Sequence, residues 1–219
     1  MKHIINLNEW ERRDNYLFFQ GFDSAWVTMT SELDCTKAFN TSKQQGTSFF
    51  VRYLYAVMKA VNSIENFRYR TDKHGNVCLY DRIDAVSPID IKEEGKTFYT
   101  VRIPFIDDYD EFYRNTRELI DNIPHDRHPY ETEMEVNSVG DFDVFNLSAV
   151  PGLYFTSVVY TKFAVGRAQN FPLMNIGKAI LREGRRVMPI SWTVSHEFID
   201  GPHNARFIQL IQEELDKDY

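Results

Sequence analysis

The chain is predicted to fold as an α+β protein, a two-layer sandwich in which helices lie over one face of a large mixed β-sheet. Three observations lead there. Stretches with helical and with strand periodicity are interleaved along the sequence instead of being grouped. No glycine-serine linker, low-complexity tract or repeat separates them, so the 219 residues read as one domain, 1–219. Hydrophobic residues are 43 % and charged residues 26 % of the chain, enough apolar surface for one sizeable core.

The elements follow in order. "TSFFVRYLYAVMKAVNSI", from Thr47, places Phe50, Leu54, Val57, Met58 and Val61 at three- and four-residue spacings, the stripe of an amphipathic helix lying against a sheet. "KTFYTVRIPF" is rich in β-branched and aromatic residues and predicts a strand over 96–105. A second helix is expected over 107–123, where the acidic turn from Asp107 to Glu111 suits the positive end of a helix dipole. The polar stretch 124–141, with two prolines, reads as an exposed loop. Strands are expected over 143–160 and 171–181, then a hairpin over 181–197 turning near Gly184. Counting by twos from Met188 puts Ile190, Trp192, Val194, His196 and Phe198 on one face, with Ser191, Thr193 and Ser195 on the other. Asp200-Gly201-Pro202 then reads as a helix start, continued by Phe207, Leu210, Ile211 and Leu215 on one stripe.

Composition narrows the partners. With 25 Lys and Arg against 32 Asp and Glu, the net charge of −7 repels polyanions, so nucleic acid is not expected. Cys35 and Cys78 stand far apart without C-x-x-C spacing, which suggests neither a metal site nor a disulfide framework. No signal-peptide run or membrane-length apolar stretch is present, so the expectation is a cytoplasmic protein with no membrane partner. Aromatic residues, at 15 %, leave room for an apolar pocket or a subunit contact.

Two places carry candidate chemistry. His196 falls on the apolar side of its strand, where desolvation disfavours the imidazolium, and only neutral imidazole accepts a proton. On the residues alone a packed core histidine is favoured slightly over a base at His196, and a helix cap over a catalytic partner at Asp200. Asn146 and Ser148, two apart, share one face of a strand between Phe145, Leu147 and Ala149. Such a polar pair suits an active site or a hydrogen-bonded sheet edge.

Four stretches taken together resemble the chloramphenicol acetyltransferase family over nearly the whole chain: "NEWERRDNYLFF", "FNLSAVP", "FPLMNIGK" and "SHEFIDGPHNARF". The resemblance implies direct transfer of acetyl from acetyl-CoA, a co-substrate and not a permanently bound cofactor, to a hydroxyl of chloramphenicol or a similar small molecule. It implies that His196 is the general base and that Ser148 donates a hydrogen bond to the oxyanion, with Asn146 beside it. Asp200 would pair with Arg12 to hold the catalytic turn. Phe19, Val27 and Phe98 would line the acceptor pocket. Lys178, with Arg182, Arg185 and Arg186 nearby, would meet the coenzyme A phosphates. A homotrimer with active sites between subunits is implied as well. The chain departs from the family pattern at Phe19, Ser48, Gly152 and Ser195, departures that bear on the choice of acceptor and on coenzyme A binding. A different hydroxyl or thiol acceptor, as in the related dihydrolipoyl acyltransferases, and a non-catalytic binding protein on the same scaffold are the alternative readings.

Overall fold

The computed structural model describes residues 1–93, 96–124, 126–159 and 170–219. Along the chain run β1 (Lys2–Ile4), α1 (Arg13–Gln20), β2 (Trp26–Asp34), α2 (Thr36–Gln45), α3 (Phe49–Ser63), β3 (Tyr69–Thr71), β4 (Val77–Tyr80), β5 (Asp84–Glu93), β6 (Lys96–Ile103), α4 (Tyr109–Asp121), α5 (Glu131–Val139), β7 (Val144–Val150), β8 (Leu173–Gly177), β9 (Ile180–Arg182), β10 (Arg185–Ser195) and α6 (Gly201–Leu215). The main sheet has the order β2-β10-β8-β7-β5-β6, with β9 paired to β10. It is mixed: β7 runs parallel to both β5 and β8, and the other pairs are antiparallel. A small sheet, β1-β4-β3, stands apart.

The expected alternation along β10 organises the core. Met188, Ile190, Trp192 and Val194 join Leu33, Leu147, Met174 and Ile176 in the main apolar cluster under α3. Ser191, Thr193 and Ser195 are buried too, on the other face, where the hydroxyls of Thr193 and Thr28 bond at 2.8 Å. The hairpin turns at Glu183 and Gly184, both with positive φ (49° and 78°), between the paired Arg182 and Arg185. This two-residue turn matches the twist of the strands it joins.

Helix α3 starts where Ser48 caps it by accepting from the Val51 N–H, and it departs from the amphipathic expectation. Of its predicted stripe Leu54, Val57, Met58 and Val61 are buried and Phe50 is half-buried, but Arg52, Tyr53 and Tyr55 on its other sides are buried too, because α2, α4 and α6 pack around it. Arg52 donates to Glu214 O at 2.5 Å and lies over the Tyr219 ring, which satisfies part of the charge in the interior. In α4, Asp108 accepts from the Glu111 N–H, so the acidic turn is a working cap.

The stretch 124–141 is not wholly a loop. It contains α5, of which only Thr132 and Val136, one turn apart, are buried. Val136 clusters with Val86, Val144 and Leu173 on the sheet face away from α3, so helices cover part of both faces. The strand expected over 143–160 stops at Val150, because Pro151 lacks the N–H a ladder needs. The expected strand 171–181 is two strands, β8 and β9, interrupted at Lys178 and Ala179.

Candidate active site

Beyond Ser195, β10 passes through a tight turn into α6. The turn is pinned at three places. The His196 N–H donates to Ala25 O at 2.7 Å, the Ile199 N–H donates to Ser195 O at 3.0 Å, and Asn66 Nδ2 donates to Phe198 O at 2.8 Å. Trp192 Nε1 donates to Asn204 Oδ1 and Asn204 Nδ2 to Asp200 O, which ties the first turn of α6 back to the strand.

Arg12, just before α1, reaches Asp200 with both terminal nitrogens, at 2.7 and 3.2 Å. The guanidinium holds the Asp200 carboxyl below the usual carboxylate range. His196 Nδ1 comes within 3.3 Å of Asp200 Oδ1 but without hydrogen-bond alignment, and it is buried with no hydrogen-bond partner. Phe19 stacks on the imidazole at 4.2 Å between centroids, 18° from parallel. With Nδ1 buried and one face covered, the edge carrying Nε2 is left as the open side of a ring whose side chain is 34 % exposed. Val27 faces the same side of the sheet as its partner Val194, beside this turn.

The sequence reading missed two members of this cluster. His203 Nδ1 accepts from the Asp200 N–H at 3.0 Å, so its proton sits on Nε2, and burial pushes its pKa down. Glu197 is buried at 6 % exposure, accepting from Ser195 Oγ at 2.9 Å, from Asn170 Nδ2 at 3.2 Å and from Gln20 Nε2. Asn170 in turn bonds Thr71 through both ends of its amide. The hydroxyl of Ser195, at a departure from the family pattern, is thus spent on its neighbour's carboxylate. No spacing within the sequence links residues 20, 71, 170 and 197, so only the fold reveals them.

Ser148 and Asn146 lie elsewhere. They line a cavity of about 400 Å³ with Phe98, Tyr130, Asp90 and Glu133. Ser148 pairs with Asn175 on β8, and Asn175 with Ser191 on β10, so the three form a row across the sheet. His196 is five residues beyond that row and two strands over: roughly 16 Å along the strands and roughly 10 Å across them. Phe19, Val27, Arg12 and Asp200 therefore gather at His196, while Phe98 and Asn146 gather at Ser148. Within one chain the two groups do not meet.

Lys178 follows Gly177, which pairs with Val150, so it lies near the Ser148 end. Its side chain is exposed and makes no ion pair among the described residues. The three nearby arginines are committed elsewhere. Arg182 pairs with Glu32, Arg185 approaches Asp34 at 4.0 Å, and Arg186 stacks over Phe39 at 3.9 Å. A Cβ on Gly152 would have nothing within 4 Å, so that departure leaves open space. Among the described residues no group of three or more histidine, cysteine or acidic side chains is placed to hold a metal, and no helix is long and apolar enough to cross a membrane.

Comparison with known proteins matches nearly the whole chain to one family. The family model described as chloramphenicol acetyltransferase matches residues 2–212. A solved structure named chloramphenicol acetyltransferase superposes with a TM-score of 0.92 at 48 % identity, covering 99 % of this chain and all of that one. A chloramphenicol acetyltransferase of Proteus mirabilis is 27 % identical over 98 % of this chain and 94 % of its own length. The cubic core of the pyruvate dehydrogenase multienzyme complex matches at a TM-score of 0.60 and 15 % identity, over 92 % of this chain and 86 % of that one, a likeness of fold alone. The chain belongs to the chloramphenicol acetyltransferase family.

Proposed function

We propose that the protein is an O-acetyltransferase that moves acetyl from acetyl-CoA to a hydroxyl of chloramphenicol or a similar small molecule, without an acyl-enzyme. The hydroxyl oxygen attacks the thioester carbonyl as His196 takes its proton through Nε2. The tetrahedral oxyanion accepts a hydrogen bond from Ser148, which acts where charge develops during the reaction. The C–S bond then breaks, the proton passes to the leaving thiolate, and an acetate ester and free coenzyme A result.

The observation that carries this reading is the clamp at His196. Arg12 neutralises Asp200, Phe19 covers one ring face, and Nδ1 is enclosed, so Nε2 is the nitrogen free to meet a substrate. Lys178, an exposed cation near the Ser148 end with no ion pair among the described residues, fits a coenzyme A phosphate as a point charge. The separation of His196 from Ser148 within a chain supports a homotrimer whose active sites lie between subunits. Free, buried Cys35 and Cys78 suit a reducing cytoplasm, where acetyl-CoA would serve as co-substrate.

The test is thiol release from acetyl-CoA with and without chloramphenicol, wild type beside His196→Ala. Release should require both drug and histidine. Near-normal turnover by the variant removes His196 as the base, and wild-type release stimulated only by another hydroxyl compound reassigns the acceptor.

A further inference from the structure

The cavity in front of Ser148 is acidic. Its described lining holds two carboxylates, Asp90 and Glu133, and two aromatic rings, Phe98 and Tyr130, but no lysine, arginine or histidine. The rings meet edge to face, with centroids 5.4 Å apart. Asp90 makes no ion pair among the described residues. Glu133 accepts from the Thr100 hydroxyl and has no ion-pair partner there either. Burial pushes the Glu133 carboxyl above the usual carboxylate range. The cation whose field reaches it, Arg127, stands outside the lining, with Nε 2.9 Å from Glu131 and Nη2 donating to Thr132 Oγ1 at 2.9 Å.

A second observation points to a polar ligand in the same space. Asn146 is only 9 % exposed and lines the cavity, yet its side-chain amide makes no hydrogen bond in the described structure. The polar atoms of this amide open onto the cavity, where they are free to bond a ligand's polar group.

We propose that the natural acceptor carries a protonated amine close to the hydroxyl that is acetylated. The inference rests on the reading of Ser148 as part of the acceptor site. An ammonium between Asp90 and Glu133 gains from both charges, and the faces of Phe98 and Tyr130 suit a cation. Held as ammonium, the nitrogen has no lone pair with which to attack a thioester, so acetyl goes to oxygen. The bonds formed and broken are those of the O-acetyl transfer given above, with the ammonium unchanged.

A matched pair of acceptors tests this: chloramphenicol and its deacylated amine, 2-amino-1-(4-nitrophenyl)propane-1,3-diol, which keeps the ring and both hydroxyls but replaces the neutral amide with an amine. The quantity read is the ratio of kcat/KM for the amine to that for chloramphenicol. In Asp90→Asn/Glu133→Gln the ratio should fall about tenfold or more, and in the wild type it should fall as salt is raised. Product mass spectrometry should find the acetate on oxygen. Should the double variant fold poorly, Asp90→Asn alone, at an exposed residue with no ion pair among the described residues, should still lower the ratio. A ratio unmoved by either substitution, with chloramphenicol still acetylated, overturns the amine and leaves the acetyltransferase reading intact. Absence of turnover with both acceptors overturns the two together.

Discussion

At His196 the proposed base and its support are separable, and so are their failures. Asp200 touches no substrate in the proposed reaction, and its work is to anchor the turn through Arg12. Asp200→Asn keeps the shape but loses the charge, and should lower stability at neutral pH by about 1–3 kcal/mol because Arg12 is left largely buried and unneutralised. The sign with pH follows from the lowered carboxyl. The charged pair contributes in full above the unfolded carboxyl's pKa, near 4, and its contribution is lost as pH falls through the lower folded value. Chemical denaturation of variant and wild type at neutral and acid pH should therefore give a gap that narrows on acidification, and a constant gap would deny the ion pair its role. Ser148→Ala should behave differently, lowering kcat on the order of 10²-fold with little change in stability. A kcat within twofold of wild type would take the oxyanion role from Ser148. The roles proposed for these residues came only from separated motifs agreeing in order. Glu197 was not legible, because its partners Gln20, Asn170 and Ser195 converge only after β8, β10 and α1 have packed.

Strand periodicity carried further than helix periodicity. The alternation from Met188 to Val194 survives in the fold because β10 lies between β2 and β8, with one face on the core. Helix α5 escaped because its two buried residues give almost no apolar stripe. Its real signals were the acidic first turn and Gly140, which ends the helix at φ 71°. Strand β5 was hidden by Pro88, tolerated because β7 pairs with β5 only as far as Val86 and leaves that edge free. The end of β8 depends on a missing side chain. A Cβ on Gly177 would come within 2.7 Å of Pro189 Cγ and 2.8 Å of Leu153 O, where the loop after β7 crosses the strand. The Lys178 N–H bonds that same Leu153 O. Gly177→Ala should therefore cost about 1–3 kcal/mol, seen as a lower urea midpoint at unchanged slope, and should raise KM for acetyl-CoA as Lys178 shifts. Wild-type stability in the variant would mean that the crossing loop yields without cost.

For the whole molecule, the decisive geometry is the distance between His196 and Ser148, which one chain cannot bring together into the proposed site. The sheet is continuous from β2 to β6, so no hinge can fold the His196 end onto Ser148 without breaking strand pairs that run through the core. A neighbouring copy can. In a ring of identical subunits the contact is heterologous, with the His196 end of one chain meeting the Ser148 cavity of the next. This arrangement predicts complementation. His196→Ala homotrimers lack the base at every site, and Ser148→Ala homotrimers lack the oxyanion donor at every site. When equal amounts are unfolded and reassembled together, a site is intact if a Ser148→Ala chain supplies the histidine and a His196→Ala chain supplies the serine. With random assembly this holds at about a quarter of the sites, so activity should climb from the low level of either variant to about a quarter of wild type. The double variant mixed with His196→Ala gives the control, since no site in that mixture has both groups and activity should stay low. Sites built within single chains would give no rescue in the first mixture, because every chain there carries one defect.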